Sequence, residues 1–307
     1  MGMMYELTII GGGPAGVAAG VYAGRKKIKT AIVTDMFGGQ SVVSNEIQNF
    51  IGYTAISGIE LAGKMEAQLR AQDVDVMDGD RVTGIEDKGD FFVIKTESGK
   101  KIESKTVLMT VGSRRRKLGV PGEKEFDGKG VAYCATCDAP LFKEKRVVVV
   151  GGGNAGLESV TDLIPYASEI FLFEYKDAVK GDVVTLERIQ KESKVKIFTH
   201  TEVVAITGDT FVRGVRYKDV KTNEEKELPI DGVFVEIGWL PNSDLAKGLV
   251  ATNERGEVVV DHKTQKTSHP RIWAAGDVVD VLYKQNNISM GDAVKAVLNI
   301  YEYLRKS

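Results

Sequence analysis

One six-residue figure occurs twice in this chain, and it narrows the available folds more than any other feature. Gly11-Gly12-Gly13-Pro14-Ala15-Gly16 follows the apolar run Tyr5–Ile10 and leads into small and apolar residues as far as Ala23. Gly151-Gly152-Gly153-Asn154-Ala155-Gly156 follows the β-branched run Arg146–Val150 and leads into Leu157-Glu158-Ser159-Val160. Each is strand, glycine turn, helix. The spacing of Gly11, Gly13 and Gly16, and of Gly151, Gly153 and Gly156, permits a tight turn. It also lets a pyrophosphate approach a helix N-terminus, whose N–H groups and dipole favour anions. A second apolar run follows each copy. Thr30–Val33 ends near Asp35, 19 residues after Gly16, and Ile170–Phe173 ends at Glu174, 18 residues after Gly156. Asp35 is placed to accept hydrogen bonds from a ribose. A lone glycine motif also fits a plain strand-to-helix turn, but here strand, helix and distal acid agree. The chain therefore reads as an internal duplication of one dinucleotide-binding unit. A dehydrogenase holding one dinucleotide needs one copy; a flavin enzyme reduced by a nicotinamide needs two.

The closing segments place the domain limits. Thr106–Gly112, Gly232–Gly238 and Arg271–Asp277 each run from an apolar strand into glycine, and Gly291–Leu304 carries Val294, Leu298, Ile300 and Tyr301 at helical spacing. Ser113–Pro121 and Pro241–Lys247 read as linkers. The fold class is α/β, with two doubly wound, Rossmann-like domains, the second inserted into the first. The first spans 1–115 and 246–307 and would bind FAD; the second spans 116–245 and would bind the nicotinamide. A length of 307 residues suits two domains.

Composition removes other classes. Lys and Arg number 41 against 43 Asp and Glu, a net charge of −2 that offers no footprint for nucleic acid or an anionic membrane. No apolar run approaches the roughly 18 residues of a spanning helix. Met1–Val21 has an acid, Glu6, before its apolar run and no cationic segment, so it reads poorly as a signal peptide. A cytoplasmic protein is expected. The only cysteines, Cys134 and Cys137, are too few for a disulfide-stapled fold. His200, His262 and His269 lie far from them, so no metal site is expected. A redox dithiol in a reducing compartment is the stronger reading. Two intervening residues let both sulfurs share one small ring, so the disulfide can form and break reversibly. Asp138 follows, as a helix cap or as proton donor and acceptor for a leaving thiolate.

With these residues in place the chain resembles the flavoprotein disulfide reductases of the low-molecular-weight thioredoxin reductase type. It is especially similar to the reductase portion of alkyl hydroperoxide reductase flavoprotein subunits. The resemblance covers essentially the whole chain. It rests on GGGPAG at 11–16, FGGQ at 37–40, CATCD at 134–138, GGGNAGLES at 151–159, IGWLPN at 237–242, AAGD at 274–277 and YKQ at 283–285. It implies that Gly39, Gln40 and Asn49 line the flavin, that Asp277 bonds the ribityl chain, and that Gln285 contacts the isoalloxazine region. Cys137 would face the flavin, and Cys134 would attack the partner's disulfide. The FAD set then comprises Gly11, Gly13, Pro14, Ala15, Gly16, Asp35, Gly39, Gln40, Asn49, Gly112, Gly276, Asp277, Lys284 and Gln285. The NAD(P)H set comprises Gly151, Gly153, Asn154, Ala155, Gly156, Glu158, Glu174 and Gly238. The catalytic set is Cys134, Cys137 and Asp138.

Two departures from the family pattern matter. NADPH-using thioredoxin reductases resemble H-R-R-x-x-x-R after the second-domain strand, where this chain has Glu174-Tyr175-Lys176-Asp177-Ala178-Val179-Lys180. A carboxylate suits a 2′-hydroxyl and repels a 2′-phosphate, so NADH is expected over NADPH. The alkyl hydroperoxide reductase type also carries extra N-terminal thioredoxin-like domains, whereas here the flavin motif starts at Gly11. The expected acceptor is therefore a separate thioredoxin- or glutaredoxin-like protein, served by what the family suggests is a homodimer. Both the nicotinamide and Cys137 must reach the flavin, so the inserted domain is expected to turn about Ser113–Leu118 and Asn242–Leu245.

Weaker features carry blander readings. Arg114-Arg115-Arg116-Lys117 is a solvated hinge or a docking site for an acidic partner. Trp239 and Trp273 read as packing residues, and the histidines as surface residues. Three rival functions stand beside the reductase: a ferredoxin-reductase-like flavoprotein, an H2O2-forming NADH oxidase, and a non-enzymatic redox-sensing NAD(H)-binding flavoprotein. The dithiol argues against the first.

Overall fold

The computed structural model describes residues 4–44 and 47–306. The chain divides into two compact units, Met1–Arg114 with Leu240–Ser307, and Arg115–Trp239.

The first unit is built on a parallel sheet. Strand Asp75–Met77 lies beside Thr30–Phe37, which lies beside the opening strand Met4–Gly12, which lies beside Lys101–Met109. The last of these also takes Ile272–Ala274 in parallel along its second half, with Leu108 opposite Trp273. Phe92–Thr96 and Val82–Asp87 extend the sheet from its first half as antiparallel strands. The central strands read as continuous apolar runs because both faces are covered. On one face Leu7, Ile9, Ile32 and Leu108 pack against helix Pro14–Arg25 and helix Asn286–Leu304, with Ala19, Ala296 and Ile300 fully buried. On the other, Ile10, Val33, Val107 and Met109 meet Phe92, Ile272 and Val279. Trp273 is fully buried and donates its indole N–H to Asn299 Oδ1 at 2.9 Å.

The final helix begins at Asn286, five residues before the apolar pattern shows it. Its first turns are polar, and Ser289 and Asp292 are buried through hydrogen bonds and an ion pair rather than apolar contact. A hydrophobic period cannot register such a start.

The second unit repeats the scheme. Its parallel sheet runs in the order Val195–Phe198, Glu169–Phe173, Arg146–Val150, Gly232–Val235, Val131–Ala132. Val147 and Val149 face one core with helix Asn154–Leu163, and Val148 and Val150 face the other. A separate antiparallel sheet of Thr201–Gly208, Val212–Asp219 and Glu225–Pro229 completes the unit.

The return crossing lies at Trp239/Leu240, ahead of the 245/246 limit drawn from composition. Asn242 explains the difference. Its backbone N–H donates to Gly112 O at 3.0 Å and its amide to Val111 O at 2.8 Å, while Leu245 and Ala246 pack into the first unit's core. Strands Ser113–Arg115 and Trp239–Pro241, which carry the two crossings, pair with each other.

Candidate cofactor cradles and dithiol centre

In the first unit the opening strand ends in the expected glycine turn. Gly11 has φ +112°, and a Cβ there would stand 2.5 Å from the Thr110 carbonyl oxygen. A Cβ on Gly16 would collide with the Gly11 carbonyl itself. Helix Pro14–Arg25 has neither a side-chain cap nor an acid in its first turn. By contrast, Ser57 Oγ accepts from Glu60 N–H at 3.1 Å to cap helix Gly58–Arg70. The uncapped N–H groups are left for an outside acceptor, and phosphate oxygens suit them.

Several expected flavin residues converge on this turn. Gly38 N–H donates to Gly12 O at 2.9 Å, which brings Gly39 (φ +53°) next to Gly13. A Cβ on Gly276 would lie 3.1 Å from that of Ala15, so Gly276 and Asp277 sit against the helix start. Ser289 Oγ donates to Asp277 Oδ1 at 3.1 Å. Asn49 and Gln285 also come together, the amide of Asn49 donating to Gln285 Oε1 at 3.3 Å. Asn287 donates to Asn49 O at 2.9 Å and Ser41 to Asn286 Oδ1 at 3.1 Å. Gln40 is exposed. Gly112, at φ +62°, offers its carbonyl to Asn242.

Two of these residues have partners that spacing did not reveal. Asp35 is exposed and ion-paired to Arg81 at 2.7 Å. The Lys284 ammonium donates to Asp277 O at 2.9 Å and Val279 O at 3.1 Å. It also forms an ion pair with Glu257 at 3.0 Å, in which both side chains are only 12% exposed.

The second unit holds the other turn. Gly151 has φ +117°, its Cβ position blocked by the Glu236 carbonyl, and a Cβ on Gly156 would collide with the Gly151 carbonyl. Helix Asn154–Leu163 likewise has no side-chain cap and no acid in its first turn. Glu174 is held by two backbone donors, Gly152 N–H at 2.6 Å and Lys176 N–H at 2.8 Å. The segment after it folds over the turn. Lys180 and Gly181 N–H both donate to Gly152 O, at 2.9 and 3.1 Å, and Asp182 N–H donates to Asn154 Oδ1 at 2.8 Å. Lys176, Lys180 and Glu158 are exposed. Gly238, at φ +99°, accepts from Arg116 N–H at 3.0 Å.

Cys134 and Cys137 form a disulfide with their Cα atoms 5.3 Å apart. Cys134 occupies the N-cap position of a one-turn helix, Ala135–Asp138, and its carbonyl accepts from the N–H groups of Cys137 and Asp138 at 3.2 and 3.0 Å. The Thr136 hydroxyl donates to Asp162 Oδ2 at 2.7 Å, tying this turn to helix Asn154–Leu163. Asp138 caps neither this helix nor the 3₁₀ turn that follows it, so its side chain does not take the capping role that the sequence left open. Burial pushes its carboxyl up to about 6, opposed by the Arg115 guanidinium. Arg115 lies 4.1 Å from the Trp239 ring centroid and 5.7 Å from that of Tyr133. The basic run is thus largely occupied: Arg114 donates to Asn242, Lys117 to Asp127, and Arg115 stacks.

Sequence reasoning missed Glu236. Its signal was an acid interrupting the apolar run Val233–Ile237.

Among the described residues no helix is long and apolar enough to cross a membrane. A model of the pyridine nucleotide-disulphide oxidoreductase family matches residues 5–297. The F subunit of alkyl hydroperoxide reductase from Staphylococcus aureus (strain MRSA252) is 42% identical over 300 residues, which are 98% of this chain and 59% of that protein. A Bacillus subtilis (strain 168) protein named NADH dehydrogenase is 41% identical over 300 residues, 98% of this chain and 58% of its own. The chain therefore spans about three-fifths of the length of these curated relatives. Among solved structures, thioredoxin reductase from Streptococcus pyogenes MGAS5005 superposes with a TM-score of 0.92 at 34% identity, covering 99% of each chain.

Proposed function

Because the chain belongs to the pyridine nucleotide-disulphide oxidoreductase family, in its thioredoxin reductase-like branch, we propose that it carries electrons from NADH through FAD to the Cys134–Cys137 pair. From there they pass to the disulfide of a thioredoxin- or glutaredoxin-like protein. The family implies FAD and a pyridine nucleotide; the choice of NADH, the protein acceptor and the residue roles are our reading. The observation that carries it is the Cys134–Cys137 disulfide, closed within one turn and tied to the helix of the second glycine motif.

Bound FAD would supply the two-electron relay between a nicotinamide and that disulfide. The chain's own residues do the rest. Gly11–Gly16 with Gly276 and Asp277 form the FAD cradle, and Gly151–Gly156 with Glu174 the NADH cradle; both uncapped helix starts fit a pyrophosphate. Cys134 thiolate attacks one sulfur of the partner disulfide, expelling a partner thiolate and forming a mixed disulfide. Cys137 thiolate then attacks Cys134 Sγ and releases the second partner thiolate. One disulfide forms, one breaks, and two protons end on the partner. Asp138, half-buried with its carboxyl near 6, is poised to exchange protons with these sulfurs at neutral pH. The NADH assignment is supported by Glu174, whose carboxylate is held by two N–H groups where a ribose hydroxyl would dock. The name of the Bacillus subtilis relative points the same way. A homodimer in the cytoplasm completes the reading, on resemblance alone.

Cys134→Ser tests the chemistry. Hydride transfer needs no sulfur, so NADH should still bleach the flavin at the wild-type rate while reduction of a thioredoxin-like disulfide stops. Partner reduction at the wild-type rate would sink the assignment. Full NADH oxidation with oxygen in a Cys134→Ser, Cys137→Ser double variant, and no protein acceptor found, would instead favour an oxidase.

A further inference from the structure

Glu236 stands just beyond the apolar strand Gly232–Val235, half-buried. Its backbone is fixed, since its N–H donates to Val150 O at 2.8 Å and its carbonyl crowds Gly151. Its carboxyl reaches two other elements. The buried Ser159 hydroxyl donates to Oε1 at 2.8 Å. The backbone N–H of Ala135, the residue after Cys134, donates to the same side chain. Ser159 belongs to the helix that opens at the second glycine turn, and Ala135 starts the dithiol helix. The charged groups that act on Glu236 are Arg115, which favours its ionised form, and Glu158, which opposes it; Arg115 also acts on Asp138.

We propose that Glu236 is a positioning residue of the dithiol centre. Through Ala135 and Ser159 it fastens the turn carrying Cys134 to the helix of the second glycine motif, and it sets a carboxyl against the residue that follows the attacking cysteine. The proposal rests on the dithiol reading above. Burial pushes the carboxyl up to about 7, against the pull of Ser159, Arg115 and the Ala135 N–H. It therefore changes charge just below the range where a thiol begins to ionise. Once negative, it disfavours a second negative charge on Cys134, and the two groups titrate as a pair. Neutral, it keeps both hydrogen bonds without that repulsion.

The test isolates Cys134 with Cys137→Ser and follows its alkylation by iodoacetamide against pH in the holoprotein, with and without Glu236→Gln. Glutamine keeps the size and an acceptor oxygen and removes the charge. The alkylation curve should move down by about half to one pH unit, roughly three- to tenfold more reaction near pH 7. Asp138 titrates in both proteins and cancels in the comparison. Ser159→Ala withdraws one donor from the carboxylate, so Glu236 should ionise later and the curve near neutrality should move the same way by less. A Glu236→Gln curve that superimposes on its parent, or moves up, overturns the proposal. Failure of the dithiol reading shows elsewhere, in a Cys134→Ser enzyme that still reduces a protein disulfide.

Discussion

The two glycine turns share a skeleton and differ in what surrounds the acid that follows. In both, the middle glycine's carbonyl accepts from the loop after the second strand: Gly12 O from Gly38 N–H, and Gly152 O from Lys180 and Gly181 N–H. In both, the last glycine lies against the carbonyl of the first. The acids then part company. Asp35 shares its charge with the Arg81 guanidinium, brought in from 46 residues away. Among the described residues Glu174 pairs with no guanidinium and is held by Gly152 and Lys176 N–H. A side chain tied to a guanidinium can be drawn aside on a flexible arm, whereas one tied to backbone is fixed with the turn. On the proposed reading the motif would supply a phosphate cradle in both copies, and the next strand's end would decide what ribose that cradle accepts.

The strongest way to break this comparison is to fill each turn separately. Gly16→Ala and Gly156→Ala both drive a Cβ into a backbone carbonyl, a clash that neighbours cannot absorb. Gly16→Ala should purify without yellow flavin absorbance. Gly156→Ala should keep its flavin and lose at least about 100-fold in reduction rate by NADH, about 3 kcal/mol. If the flavin vanished from Gly156→Ala and stayed in Gly16→Ala, the assignment of the two cradles would be reversed.

Glu174→Arg sharpens the selectivity half. A guanidinium binds a 2′-phosphate in bidentate fashion and loses the ribose acceptor. The NADH-to-NADPH ratio of kcat/KM should fall by about tenfold or more, or about 1.4 kcal/mol. An unchanged ratio removes Glu174 as the selector.

The next effect is one of pH. In the folded second unit Asp138 keeps its proton up to about 6, whereas in the unfolded chain it releases it near 3.8. Between these values the folded form holds the extra proton, so stability falls as pH rises through the window. The carboxyl's remaining contact with solvent limits the loss to about 1 kcal/mol. Asp138→Asn should therefore gain on the parent by about that much between pH 4 and 7 in urea midpoints; parallel profiles would contradict the raised carboxyl. The smallest effect belongs to Arg81→Ala. Its exposed ion pair with Asp35 should cost under about 1 kcal/mol and leave flavin retention intact; an apoprotein would make Arg81 part of the cradle.

Much of this was legible because it is local. Gly11–Gly16, Gly151–Gly156 and Cys134–Cys137 are patterns of a few adjacent residues, and strands buried on both faces announce themselves as apolar runs. What stayed hidden was long-range or polar. Arg81 reaches Asp35 because an antiparallel branch folds back on the sheet, which no spacing records. Lys284 looks like a ligand by motif, yet its ammonium is engaged by Asp277 O, Val279 O and Glu257, a cluster assembled from separate turns. The start of the final helix and the Trp239/Leu240 crossing depend on hydrogen bonds by Ser289 and Asn242.

The insertion also sets a timetable for synthesis. Strand Lys101–Met109 needs Ile272–Ala274 as a neighbour, and Ser41 and Asn49 find their partners at Asn286 and Gln285. None of these contacts can form until the ribosome has translated the segment 272–286. Arg115–Trp239 is continuous and has its own cores, so it can close while its host is still an open scaffold. The nascent first half must therefore wait, with the apolar face of Leu7, Ile9 and Leu108 uncovered by the last helix. Chaperone occupancy should peak in that interval and drop as residues 272–304 emerge.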